Sequence, residues 1–143
     1  MNVKELSEGD YVSYGGKYVF PVEHICWDKT VCPDPGKPCF ELPNRIEPGC
    51  IKPIPLTPNI MKALGFEDWN GYWKRKFIKD RGECRIGYHV TCFHLTLRDN
   101  INITEIRKER PLYLHELQHL MRIFEIKEEL EVTDDMVRDT EGD

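Results

Sequence analysis

The residues in this chain whose spacing is most suggestive of catalysis are two histidines that flank a glutamate, in the sequence His-Glu-Leu-Gln-His at positions 115–119. On a helix, the two imidazoles of an H-E-x-x-H sequence project from one face about one turn apart and can bind zinc, while the glutamate polarises a water molecule. One alternative prediction is therefore a minimal zinc metallohydrolase, in which His115 and His119 bind zinc and Glu116 is the base.

A complete zinc site would need more than this pair of histidines. Catalytic zinc normally has three protein ligands, and the segment after His119 supplies only acids in a charge-rich context. His89 and His94 are further candidates upstream. Histidine and glutamate also suit the solvent-facing side of a helix without any metal. We therefore favour a chain with no metal, no cofactor and no catalytic residues over the hydrolase.

A second group of residues combines aromatic rings with positive charge. Between positions 66 and 85, aromatic residues alternate closely with lysine and arginine. Aromatic faces stack on bases, and lysine or arginine neutralises phosphate. The composition predicts a binding surface for a small anionic nucleotide, formed by Trp69, Tyr72, Trp73, Lys74, Arg75, Lys76 and Arg81. The alternative is structural: neighbouring residues of a strand face opposite sides, so one aromatic set would be core and the bases would pair with acids elsewhere.

Two further histidines occur in H-x-T sequences, His89-Val90-Thr91 and His94-Leu95-Thr96. These are similar to the repeats of two-histidine phosphoesterases, in which the repeats come from separate strands so that both histidines contact one phosphate. On one regular strand, residues five positions apart face opposite sides. The sequence therefore argues against this activity.

Composition and charge limit the classes of partner. The chain has 143 residues and a formal net charge of −5, which argues against binding extended nucleic acid through the whole surface. The charge is uneven: residues 125–143 are strongly acidic and residues 74–85 are strongly basic. No apolar run is long enough to span a bilayer, and the first ten residues are charged rather than signal-like. These features predict a cytoplasmic protein with no membrane contact.

Six cysteines are many for a chain of this length. No C-x-x-C pair is present, so a zinc ribbon or a thioredoxin-type site is unsupported. We interpret the cysteines as buried free thiols. A metal site that uses His24 and nearby cysteines is the alternative.

The pattern of elements predicts an α+β fold. A small N-terminal SH3-like or curled β-sheet is expected first, with a turn at Gly15-Gly16. An antiparallel sheet follows, covered by one long C-terminal amphipathic helix over residues 111–126 that begins at Pro111. The expected division is a β-rich lobe at 1–56, an α+β lobe at 57–132, and a frayed acidic tail at 133–143.

Three local signals are specific enough to place elements in the second lobe. Thr57-Pro58 predicts a helix start and Gly65 its end. Asn70-Gly71 predicts a turn. Residues 84–98 form the longest strand candidate, with a change of phase near Cys92-Phe93 that suggests a bulge.

Three segments resemble a group of small uncharacterised proteins encoded in prophages and mobile elements of Bacteroidetes. The opening Glu5-Leu6 with Gly9-Asp10-Tyr11-Val12 is similar to theirs. So are the middle segment Ile51-Lys52-Pro53-Ile54-Pro55-Leu56-Thr57-Pro58 with Leu64-Gly65-Phe66, and the helix Tyr113-Leu114-His115-Glu116-Leu117-Gln118-His119-Leu120. In such proteins Gln commonly stands at the position of Glu116 and Asn at that of His119. The resemblance therefore implies that the H-E-x-x-H sequence is accidental.

The resemblance also implies a biological context. Short accessory proteins of phages often act on host defences by binding a component of them. We therefore predict a non-enzymatic phage protein in the host cytoplasm, which sequesters a small nucleotide-type signal or blocks a host defence protein. A structural protein–protein interaction module, including a homo-oligomer, is the further alternative.

Overall fold

A computed structural model describes residues 3–33, 43–79 and 82–141 of the chain. The chain divides into two compact units, Met1–Ile54 with Val132–Asp143, and Pro55–Glu131. The described residues form two antiparallel sheets and short helices. The fold is therefore mixed α+β, as the sequence predicts.

The first unit contains a four-stranded antiparallel sheet in the order β3-β2-β1-β4. Its strands are β1 (Tyr11–Tyr14), β2 (Tyr18–Ile25), β3 (Val31–Pro33) and β4 (Ile51–Lys52). Gly15 and Gly16 connect β1 to β2 with φ angles of 60° and 74°, which glycine adopts at little cost. The predicted hairpin is confirmed. The core of this unit consists of Val3, Leu6, Val12, Phe20, Val22, Val31, Ile46 and Ile51.

The acidic C-terminal segment contains a helix. Residues Asp134–Glu141 form helix α3. One oxygen of Asp134, Oδ1, accepts a hydrogen bond from the backbone N–H of Val19 at 2.7 Å, and Met136 and Val137 are buried. Two buried apolar side chains and one hydrogen-bond acceptor thus attach a mostly charged helix to β2. The acidic composition of the segment alone does not indicate this helix.

The second unit is built on a five-stranded antiparallel sheet in the order β5-β6-β7-β8-β9. Its strands are β5 (Glu67–Trp69), β6 (Tyr72–Lys79), β7 (Gly82–His89), β8 (His94–Arg98) and β9 (Ile103–Arg107), and its helices are α1 (Pro58–Ala63) and α2 (Leu114–Ile123). The predicted start of α1 is confirmed, because Thr57 Oγ1 accepts a hydrogen bond from Ile60 N. Gly65 follows α1 at φ 86°.

Two hairpin turns set the register of this sheet. Asn70 and Gly71 have φ angles of 55° and 91° and join β5 to β6, which confirms the predicted turn. The prediction of one strand over residues 84–98 is wrong, because residues 90–93 form a second turn between β7 and β8. Phe93 has a φ angle of 55° there, which is uncommon for phenylalanine, so the residue type does not predict the turn.

Helix α2 is ten residues long, shorter than the predicted 111–126. Its N-cap is Tyr113 rather than a residue before Pro111. Leu112 lies before the helix, where its carbonyl oxygen accepts a hydrogen bond from Leu56 N at 2.8 Å. At the other end Glu125 adopts φ 57°, and Ile126 N donates to Met121 O at 2.9 Å. This is a Schellman-type ending, for which glycine is the usual residue.

One face of the five-stranded sheet carries the core. Strand partners Trp73, Tyr88 and Leu95 lie in one row, and Ile86 and Leu97 in the next; all are buried. We call this the inner face. The opposite side of the same strands, which is largely exposed, is called the outer face below.

The stability of the folded protein is expected to depend on pH through Asp99, in the turn between β8 and β9. Hydrogen bonds from the N–H groups of Asn102 and Ile101, and then from Lys79, lower the pKa of Asp99 to about 2. An unfolded aspartate titrates near pH ~3.9, so this contribution is present above pH ~4 and is lost as the pH falls through about 2.

We expect the Asp99→Asn variant to unfold at a lower temperature than the parent at pH 5, and the difference to shrink as the pH is lowered to 2. Thermal unfolding followed by circular dichroism between these pH values measures it. A difference that does not change with pH would show that the carboxylate does not supply this stabilisation.

Candidate functional site

The alternation of β6 separates the predicted ligand-binding residues into two groups. Tyr72, Lys74 and Lys76 lie on the outer face, and the register Trp69↔Tyr72 places Trp69 of β5 beside them. Trp73 and Arg75 lie on the inner face. Arg81 is outside the described residues. The structure thus brings together four of the seven predicted residues.

The two residues on the inner face have structural partners. Trp73 is buried. The Arg75 guanidinium donates hydrogen bonds to Leu64 O and to Glu128 Oε1, each at 2.6 Å. Because these contacts join β6 to the end of α1 and to the acidic segment after α2, Arg75 contributes to the folded unit as the structural alternative expected.

The most unusual contact on the outer face joins Tyr72 to Gly87. A Cβ atom added at Gly87 would lie 1.9 Å from Tyr72 Oη and 2.2 Å from Cζ, distances that no pair of nonbonded atoms tolerates. The phenol therefore rests directly on the backbone of β7. Because glycine has no side chain, the ring can lie directly against the strand at this position.

Rings continue along the same row of the sheet. The register Tyr72↔His89↔His94 runs over β6, β7 and β8. The ring centroids of Tyr72 and His89 are 4.4 Å apart, and those of His89 and His94 are 6.2 Å apart with nearly parallel planes. The expectation that the two H-x-T histidines face opposite sides is wrong, because the turn at 90–93 places them on adjacent strands and on one face.

The threonines of the two H-x-T sequences do not form a matching pair. Thr91 lies in the turn. Thr96 Oγ1 donates to Gly87 O at 3.4 Å. The two sequences therefore occupy different local structures, so only the histidines of the repeat are brought together.

A row of cations lies two same-face positions farther along the strands. Lys76, Arg85 and Arg98 are paired in register on β6, β7 and β8. All three are exposed. Lys76 contacts Glu83 at 3.0 Å, a solvent-exposed pair of the kind that contributes little to stability. The three strands thus carry a line of exposed positive charge that contributes little to the stability of the fold.

An open cleft of about 370 Å³ lies beside the start of β5, next to Lys76 and Arg85 of the cation row. Nearby, Lys74 Nζ lies 3.7 Å from the centre of the Trp69 ring, a cation–π contact. The residues that line the cleft are Gly65, Glu67, Lys74, Arg75, Lys76 and Arg85. Arg75 is already paired with Glu128, but Lys74, Lys76 and Arg85 still outnumber Glu67 in the lining, so the local charge favours an anion.

A larger cleft of about 740 Å³ borders the Asp99 turn and the end of α2. Lys79 and Asp99, which line it, contact each other at 3.0 Å with only 16% and 9% of their side chains exposed. Their charges therefore offset one another. This cleft is therefore less favourable for binding an anion than the outer face.

Sequence reasoning missed Arg85, Arg98, His89 and His94 as members of the surface. The reason is the β7–β8 turn: while residues 84–98 are treated as one strand, these side chains do not line up with β6. The paired H-x-T sequences were the one signal that could have shown two short strands.

The H-E-x-x-H residues have other roles in α2. His115 is buried, and its ring centroid lies 5.7 Å from that of His119. Glu116 Oε1 accepts hydrogen bonds from Tyr113 N at 2.9 Å and from Arg110 Nη1 at 2.8 Å, which closes the return half of a capping box. Burial raises the pKa of Glu116, but these hydrogen bonds and the Arg110 charge outweigh it and lower the pKa.

Glu116 thus stabilises the start of the helix. Within the ranges that the structure describes, no three His, Cys, Asp or Glu side chains are grouped closely enough to hold a metal ion. The zinc-hydrolase alternative stays a prediction, and the geometry around Glu116 gives it no support.

No protein-family model, curated protein or solved structure matches this chain. Among the described residues, no helix is both long and apolar enough to cross a membrane.

Proposed function

We propose that this chain is a non-enzymatic binding protein that holds a small nucleotide-type anion on the outer face of its five-stranded sheet. The observation that carries the proposal is the Tyr72 ring resting on Gly87, one same-face position from Lys74 and two from the Lys76–Arg85–Arg98 row. A flat ring beside a line of cations suits a ligand with a planar base and a phosphate. Stacking is expected to hold the base and the cations the phosphate.

The charge balance of this face supports a small anion rather than a long one. Five cations on the outer face, Lys74, Lys76, Arg85, Arg98 and Arg107, are opposed by Glu67, Glu83 and Glu105. The net charge of the outer face is therefore positive, although the formal net charge of the whole chain is −5. A long polyanion would also meet the acidic remainder of the surface and be repelled.

The size of the cleft supports the same class of ligand. Its volume of about 370 Å³ lies at the lower end of the range for small-molecule sites, roughly 300–1,000 Å³. A mononucleotide or a small cyclic nucleotide fits this scale, with its phosphate in the cleft and its base over Trp69 or Tyr72 on the adjoining surface.

The resemblance to phage-encoded proteins supplies the biological part of the proposal. A protein that binds a nucleotide signal without altering it lowers the signal's free concentration. We extend the proposal to counter-defence in the host cytoplasm, where such sequestration would prevent a nucleotide-activated defence from responding.

Isothermal titration against linear and cyclic mono- and dinucleotides, with inorganic phosphate as a reference anion, tests the proposal. We expect at least one nucleotide to bind more tightly than phosphate, with an affinity that falls as salt is raised. Arg85→Ala and Lys76→Ala should each weaken binding about tenfold, because each removes a charge-assisted contact.

The matched control is Lys62→Ala, which removes an exposed lysine of α1 that is not on the outer face; its affinity should be unchanged. If the folded protein binds none of the nucleotides in the panel, the proposal is wrong. Equal losses in all three variants would instead indicate nonspecific attraction of anions.

A further inference from the structure

Two cysteines lie side by side at the end of the β2–β3 hairpin in the first unit. Cys26 directly follows β2, and Cys32 lies within β3. Their Sγ atoms are 3.6 Å apart, and both side chains are partly exposed. We propose that this pair is an oxidation site, at which a low-molecular-weight disulfide converts the two thiols into one reversible Cys26–Cys32 bridge.

The hairpin fixes the approach of the two thiols. Ile25 pairs with Val31, and Cys26 N donates to Thr30 O at 2.9 Å, so the strands are held together up to the turn. A disulfide bond is ~2.05 Å long, so the sulfur atoms must approach by about 1.5 Å. Side-chain rotation and a small adjustment of a hairpin end can supply this movement.

The bridge would add a covalent link to a short strand of this sheet. β3 has three residues and stands at the end of the strand order, where Val31 also exchanges backbone hydrogen bonds with Ile46. Its pairing with β2 shifts register between Val22 and His24, which reduces the regular hydrogen bonds that hold it. A covalent link beside this irregularity is therefore expected to stabilise the edge.

The chemistry is two successive thiol–disulfide exchanges. One cysteine thiolate attacks oxidised glutathione, forms a mixed disulfide and releases one glutathione thiolate. The other cysteine thiolate then attacks the protein sulfur of the mixed disulfide and releases the second. Two protein thiols are oxidised, one glutathione disulfide is reduced to two thiols, and the two protons pass to the glutathione that leaves.

The environment of Cys32 sets the expected rate. Burial and the neighbouring Cys26 thiol raise the pKa of Cys32, with Glu23 adding to the effect and Arg45 opposing it. Because the thiolate is the reactive form, the step in which Cys32 attacks should be slow at neutral pH and faster as the pH rises.

The experiment is a redox titration of the full chain in glutathione buffers, followed by alkylation of the remaining thiols and intact-mass measurement. We expect oxidised chains to carry two fewer alkyl groups, and peptide mapping to place the bridge between Cys26 and Cys32. Reduction should restore both thiols. The bridged form should melt about 5 °C or more above the reduced form.

Cys26→Ser and Cys32→Ser should each abolish the bridge, whereas Cys50→Ser and Cys92→Ser, which change exposed cysteines, should leave it intact. Bridges that join either cysteine to any other cysteine would overturn the proposal. So would stoichiometric zinc on the pair that blocks alkylation in the reduced protein. The site is independent of the outer face, so either proposal can fail without the other.

Discussion

Replacing Phe77 by alanine is expected to lower the free energy of unfolding of the unit that contains the five-stranded sheet by about 3–5 kcal/mol. The ring is fully buried and packs edge-on against Phe66, with centroids 6.1 Å apart. The Arg75 guanidinium lies 4.4 Å from its centre. Alanine loses the transfer free energy of the ring and leaves a cavity that a sheet can only partly close.

Urea denaturation followed by circular dichroism and by tryptophan fluorescence measures this loss. Ile78→Ala is the matched control, because Ile78 is the next residue of β6, points to the outer face and is 76% exposed. Its effect should stay within about 0.5 kcal/mol. A larger loss at Ile78 than at Phe77 would mean that β6 is turned the other way, and the proposed binding face would then be the core.

The parts of the fold that follow from sequence are those with residue-specific turn chemistry. Gly15-Gly16 and Asn70-Gly71 suit positive φ angles that few residues adopt, so both hairpins can be recognised from the residue types alone. Thr57-Pro58 is equally specific, because the threonine hydroxyl caps the helix and proline needs no hydrogen bond there.

The parts that do not follow are turns made by residues without such preferences. Residues 90–93 are Val-Thr-Cys-Phe, and Phe93 takes its positive φ because the pairing of β7 with β8 holds it there. Glu125 ends α2 in the same conformation, where glycine would have been recognisable. Strand pairing accounts for Phe93 and the hydrogen bonds that end α2 account for Glu125, and neither residue type marks its position in the sequence.

The candidate site shows the same division. The sequence locates the aromatic and basic residues of β6, since their composition is visible in one segment. It does not show that Trp73 and Arg75 are used by the core, nor that Arg85 and Arg98 complete the cation row. Those two facts depend on strand register, which the β7–β8 turn sets.

Gly87→Ala is expected to disrupt the outer face more than its single added methyl group suggests. The new Cβ would lie 1.9 Å from Tyr72 Oη, so the ring must leave its place on β7. Overpacking of this kind costs about 1–3 kcal/mol of stability. Base stacking on an aromatic ring contributes about 1–3 kcal/mol, so we also expect the affinity for the proposed nucleotide ligand to fall at least about fivefold, and we expect the same fall in Tyr72→Ala.

A double-mutant cycle separates this mechanism from general damage. In the Tyr72→Ala background the methyl group has no ring to displace, so adding Gly87→Ala should cost no further affinity and little or no stability, because alanine also limits the unfolded chain more than glycine does. Gly49→Ala is the control, since nothing lies within 4 Å of its added Cβ. If the losses of affinity in the two single variants add up in the double variant, the two residues act separately. The position of the Tyr72 ring would then not depend on the missing side chain at Gly87.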